Sequence, residues 1–263
     1  MLTRIALRVA VQEALRGATL AGDNVLDSQF TALDLDVDGT LRTDQDRPFI
    51  SVYTDGGRVG AGNGFLSLFG DDPTVELVIE AGISAAMLEQ DPETGVTSII
   101  GVGLPDTDAN MELSLDLMMR QVADALVAPD SLWADLAREL MGDVSGIERS
   151  RIGQKQNGTR VAAQEVRITA GLLADPVRGA DLTGSIYARF LTALADSADA
   201  RLAKIKLAFE AALAGTAVDW QLVQRELGLT DGQSVALGGR PLATGESGEV
   251  PTIETVTVEV EPS

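Results

Sequence analysis

The sequence contains no cysteine and no histidine. Without cysteine there is no disulfide, no thiol nucleophile and no thiolate metal ligand. Without histidine there is no Ser-His-Asp triad, no Cys-His pair and no imidazole-based zinc site. Any catalysis would rest on carboxylates, Lys, Tyr or Ser, or on an oxygen-bound metal. The residue set weighs against an enzyme, and none is expected. Runs of apolar residues long enough to cross a bilayer are also missing. The first residues, Met1-Leu2-Thr3-Arg4-Ile5-Ala6-Leu7-Arg8, interleave arginines with apolar residues. A secretory leader places its charges before an unbroken apolar stretch. The expectation is a soluble protein, folded where it is made, with no membrane partner.

Basic residues are scarce: 20 against 40 acidic ones, for a formal charge of -20. Such a surface repels nucleic acid over most of its area. Solubility is one reading of this excess, and an acidic lining of a DNA conduit is the sharper one. At 263 residues and 45% hydrophobic, the chain suffices for one large domain or a medium domain with an appendage.

Residues 2–16 read as an amphipathic helix with Thr3 as N-cap and Gly17 as stop. Arg4, Arg8, Gln12 and Arg16 mark its wet stripe, and Ile5, Ala6, Val9, Ala10, Ala14 and Leu15 its core face. A short strand is expected within 24–35, then an Asp-rich loop over 34–46. Pro48 to Thr54 and Val75 to Ala81 are strands, separated by a glycine-rich loop over 55–74. A further loop is expected over 89–110. Helices follow at 109–126, with Leu113, Leu117, Met118, Val122 and Leu126 as its apolar stripe and Asp108 or Asn110 as cap, and at 131–141. The methionines Met111, Met118, Met119 and Met141 read as core filler. Strands 147–156 and 160–172 flank Asn157-Gly158, a strong hairpin signal. Together these predict an α+β fold, a mostly antiparallel sheet with helices packed on one face, plus a C-terminal helical extension. The organisation is a domain over 1–176, a helical extension over 177–230, and a flexible linker with a terminal strand over 231–263. The extension reads as one long helix from about Thr183 to Ala214, then a shorter one capped by Asp219. The last strand, Val256-Thr257-Val258-Glu259-Val260-Glu261, alternates cleanly. It reads either as a frayed tail or as a strand that pairs with a sheet edge, on another subunit for instance.

Asp34-Leu35-Asp36-Val37-Asp38-Gly39-Thr40-Leu41 is the motif richest in chemistry. Asp34, Asp36 and Asp38 fall at positions 1, 3 and 5 of a calcium loop, with Gly39 at its sharp turn. Position 12 is Gln45, which lacks the bidentate carboxylate such a loop uses. The same text resembles the Asp-x-Asp-Gly-Thr motif of haloacid-dehalogenase-type phosphatases, in which Asp36 would be the nucleophile and Asp38 the acid/base. The apolar strand and alternating β/α order of that family are missing. A solvated acidic turn fits best; calcium at Asp34, Asp36 and Asp38 is the alternative carried forward, and no other cofactor is expected. Gly60-Ala61-Gly62-Asn63-Gly64 matches no phosphate-binding fingerprint. Arg149, Arg151, Lys155 and Arg160 gather on the hairpin and suit an acidic protein partner.

The order of features resembles the tail terminator of long-tailed bacteriophages, the lambda-type family. The resemblance rests on the helix Thr3 to Leu15, the Asp-rich turn and the strand within Arg47-Pro48-Phe49-Ile50-Ser51-Val52-Tyr53-Thr54. It continues through Val75 to Ala81, the helix carrying Met118 to Leu126, and the hairpin ending in Val166-Arg167-Ile168-Thr169. It covers roughly residues 1–175. The resemblance implies a non-enzymatic virion protein that forms a hexameric ring at the head-proximal end of the tail. Such a ring stops polymerisation of the tube protein, docks the head-completion (neck) proteins and lets DNA pass through its lumen. It implies assembly in the host cytoplasm and residence in the virion tail. The strands would frame the ring, and the loop 55–74 and hairpin 149–168 would make subunit and tube contacts. Longer loops and everything after Pro176 depart from compact members, which leaves another neck or tail-completion protein as one alternative reading. A calcium-binding interaction module is the other.

Overall fold

A computed structural model describes residues 1–28, 34–35, 41–42, 45, 47–58, 74–84, 88–90, 92, 97–99, 107–156, 159–215 and 218–238. Its elements, in chain order, are α1 (Leu2–Leu15), β1 (Val25–Asp27), β2 (Asp34–Leu35), β3 (Leu41–Arg42), β4 (Phe49–Arg58), β5 (Thr74–Ser84), β6 (Leu88–Gln90) and β7 (Thr97–Ile99). They continue with α2 (Asp108–Leu126), α3 (Leu132–Leu140), β8 (Met141–Gln156), β9 (Thr159–Leu172), α4 (Ile186–Asp196), α5 (Ala200–Leu213), α6 (Asp219–Glu226) and α7 (Asp231–Ala236). Five strands form one sheet in the order β1-β4-β5-β9-β8. Only β1 against β4 is parallel; the other three pairs are antiparallel. The fold is α+β, as the pattern of the sequence predicts.

One sheet face carries the apolar positions of β4 and β5: Ile50 and Val52, then Val75, Leu77, Ile79, Ala81 and Ile83, all buried. Such alternation assigns every second residue to one side. Helix α1 lies against β1 and β4, and α2 against β5 and β9. Helix α3 packs on α1, and α4 and α5 pack beyond it as a further helical layer. Ile186, Phe190, Leu194, Leu202 and Phe209 belong to the same buried cluster as Leu7, Val11 and Leu15 of α1. Phe190 meets Phe209 at 5.2 Å and Trp133 edge-on at 6.3 Å, which clamps α4 to α5 and α3.

Several local expectations need correction. Thr3 does not cap α1. The helix begins at Leu2, and the Asp175 carboxylate accepts the backbone N–H groups of Leu2 and Thr3, each at 2.9 Å. An acid from far along the chain thus satisfies donors that a local side chain usually covers. Thr3 is buried instead, its hydroxyl 2.5 Å from the Tyr187 hydroxyl. Nor is the polar stripe of α1 wet: Arg8 pairs with Asp27 at 2.6 Å, buried Gln12 donates to the Val25 carbonyl at 2.9 Å, and Arg16 pairs with Asp199 at 3.2 Å. β1 and α5 cover that stripe.

Helix α2 turns differently from the expected stripe. Met111, Ser114, Leu115, Met118, Val122 and Ala125 are buried, whereas Leu113 and Leu117 are exposed. Its cap is Thr107, whose hydroxyl accepts the Asn110 N–H. The single long helix expected over 183–214 is two. Ser197-Ala198-Asp199 breaks it: Ser197 and Asp199 are extended, and Asp199 caps α5 by accepting the Arg201 N–H at 2.7 Å. At 231 a helix replaces the expected start of a linker. Thr230 and Gln233 close a capping box over α7, with bonds of 3.2 and 2.9 Å. Strand β4 runs past Thr54 to Arg58 through a bulge, and Gly57 allows it: a Cβ there would lie 2.7 Å from the Thr74 carbonyl oxygen. The β6–β7 pair occupies part of the loop expected over 89–110. The glycine-rich motif at 60–64, the Asn157-Gly158 turn and the strand expected at 256–261 lie outside the described residues. Among the described residues, no helix is long and apolar enough to cross a membrane.

Candidate functional site

The sheet has two unequal edges. At one side stands β1, three residues long. At the other stands β8, sixteen residues long and joined to β9 in a continuous register from Gly146↔Thr169 to Gln156↔Thr159. Pairing of Gln156 with Thr159 leaves two residues for the turn, the spacing that makes Asn-Gly a hairpin signal. Among the described residues no strand pairs with the outer edge of β8. Among the described residues its N–H and C=O groups there form an open row, which is a template for another strand. Val144 and Ile147 on it are 49% and 58% exposed.

Alternation sets Ile147, Arg149 and Arg151 on the helix side, opposite Ile168, Val166 and Gln164. Arg151 forms an ion pair with Glu112 of α2. The basic residues singled out in the sequence therefore lie along this hairpin: Arg149, Arg151 and Lys155 on β8, with Arg160 opposite Lys155 on β9. A cavity of about 260 Å³ lies between α2 and the hairpin, lined by Asp116, Met119, Arg120, Arg149, Gln164 and Glu165 among others. Arg120 is paired with Asp124, and the Gln164 amide donates to Asp116 at 2.7 Å. The Gln164–Asp116 bond joins helix to sheet, whereas the Arg120–Asp124 pair lies within α2.

The face of the sheet away from the helices holds a second polar group. The register aligns Ser51, Glu80, Glu165 and Ser150 across four strands, with Tyr53, Val78, Arg167 and Glu148 in the adjacent row. Glu80 is buried, and its carboxyl titrates at about 7, raised first by burial and then by the charge of Glu165. Burial likewise pushes the Tyr53 hydroxyl up to about 12, with Glu80 and Glu165 adding to it. Arg167 bonds Asp55 at 3.0 Å and Glu76 at 2.8 Å, and both hold it protonated well beyond its ordinary range. The bulge in β4 supplies Asp55, an extra residue between the Thr54 and Gly57 pairs. None of this was singled out from the sequence. The available signal was period-two placement of Glu76 and Glu80 on one face of β5; which strand would stand opposite was not readable.

Of the residues assigned to a calcium loop, Asp34 lies in β2, where its position pairs with Arg42 of β3. Asp36 and Asp38, also the phosphatase candidates, lie outside the described residues. Gln45, at the twelfth position, accepts a long 3.4 Å hydrogen bond from the Asn24 amide. Among the described residues no three acidic side chains come together around a possible metal position. No protein-family model matches the chain, and no curated protein matches it.

Proposed function

We propose that this chain is a structural protein of a phage tail, which closes sideways with copies of itself into a ring, six-membered in the family it resembles. The ring would end the tail tube on the side of the head, contacting tube protein below and a head-completion protein above. The observation that carries the reading is the pair of unequal sheet edges. A long open edge invites addition of a strand. Because the two edges differ, a contact made through β8 joins unlike surfaces, and repetition of such a contact closes a ring when the rotation permits. The order of elements, with a helix-backed antiparallel sheet and a long hairpin at its edge, fits the tail-terminator resemblance.

The mechanism is geometric. One face of the ring would match the last layer of the tube and the other would not, so polymerisation stops there. The excess of 40 acidic over 20 basic residues suits a conduit through which DNA slides without adhering. Mixing the purified chain with polymerising tube protein tests the proposal: tubes carrying it at one end, and no longer growing from that end, support it. Tubes that elongate unchanged, with no bound chain, would overturn it.

A further inference from the structure

We propose that the open edge of β8 is filled by the segment Val256–Glu261 of a neighbouring copy, laid antiparallel along Arg149–Gln154. This inference rests on the ring reading and names the contact that closes it. Direct pairing of β8 with β8 would be self-complementary, so it would stop at two chains. The opposite edge, β1, offers three residues against sixteen. A strand from elsewhere in the chain would fill it, and the sequence holds a cleanly alternating segment beyond the described residues, Val256-Thr257-Val258-Glu259-Val260-Glu261.

Charge and side-chain period select the register. Arg149 and Arg151 are two residues apart on one side of β8. Glu259 and Glu261 are two apart in the segment and would share one side of a strand. Setting Glu259 opposite Arg151 and Glu261 opposite Arg149 makes two opposite-charge cross-strand pairs. The antiparallel direction then sets Val258 opposite Ile152, whereas the parallel direction would set it opposite Glu148. Residues 239–255 connect α7 to the segment and reach roughly 60 Å when extended, enough to cross to an adjacent subunit. Arg151 keeps donors for a second carboxylate beside its Glu112 pair.

The absence of cysteine makes the test clean. Ser150 stands opposite Val260 in either strand direction, within disulfide reach if the strands pair. Full-length Ser150→Cys and Val260→Cys chains are mixed, assembled, oxidised and examined beside native mass spectra. The expected result is a disulfide-linked pair containing one of each variant, within the ring fraction, and none from either variant alone. Reversing Arg149→Glu and Arg151→Glu should weaken assembly about tenfold, and Glu259→Arg with Glu261→Arg should restore it. Rings without the mixed disulfide, or a Ser150→Cys/Val260→Cys double variant that closes only within one chain, would overturn this contact while leaving the ring in place. Monomers at every concentration would overturn the ring reading itself.

Discussion

Glu80 and Glu165 stand directly opposite each other on β5 and β9, with the Glu80 side chain buried. Like charges directly opposite in a ladder destabilise it, and burial adds to the cost of ionising Glu80. The folded protein holds the Glu80 proton up to about pH 7, while the unfolded chain releases it near 4.5. In that window the native state binds more protons, so stability falls as pH rises. The groups facing Glu80 are Tyr53 from β4 and Glu165 and Arg167 from β9. Glu80→Gln should therefore raise stability above pH 7 by about 1–2 kcal/mol and flatten the profile between pH 5 and 7.5. Thermal unfolding of both proteins across that range measures it; parallel profiles would refute the assignment.

Asp175 closes the first turn of α1 from 172 and 173 residues away. Its carboxylate satisfies two helix donors and lies at the positive end of the helix dipole. Asp175→Ala should cost about 1–2 kcal/mol, visible as a lower denaturant midpoint. Asp175→Asn, which keeps one acceptor oxygen, should recover part of the loss. Amide exchange should quicken at Leu2 and Thr3 before the rest of α1.

Arg201 of α5 ties that helix to the polar stripe of α1. It donates to the Gln12 side chain at 2.7 Å and to Asp27 at 3.4 Å, and it pairs with Glu13. Gln12 is buried, so losing this donor leaves an acceptor without its partner. Arg201→Ala should destabilise the protein by about 2–3 kcal/mol. Lysine should rescue little, because one ammonium cannot replace a planar fork that reaches three partners. Hydrogen exchange in α5 should rise selectively; an unchanged pattern would contradict the latch.

The main elements were legible because they obey simple periods. Strands β4, β5 and β9 alternate cleanly, and β8 and β9 pair in the antiparallel register that the sequence led one to expect of a hairpin. The errors have identifiable causes. Arg4, Arg8, Gln12 and Arg16 read as solvated because helical spacing reports one stripe and not what covers it; β4 holds Arg4, β1 holds Arg8, and the start of α5, some 190 residues later, covers Gln12 and Arg16. Leu113 and Leu117 read as core, yet Met111, Leu115, Met118 and Val122 form the stripe that meets the sheet. Two apolar registers competed within α2, and packing selected one. The break at Ser197 was masked by the Ala and Leu on both sides. The open edge of β8 was not readable at all, since a sequence shows strands but not which of them ends a sheet.

A ring requires lateral closure of this sheet-and-helix unit. Electron microscopy of the isolated protein, averaged in projection, tests that most directly. Annular particles with a central channel and six-fold repetition of a unit of this size are expected. Single globular particles, or open filaments that never close, would contradict it.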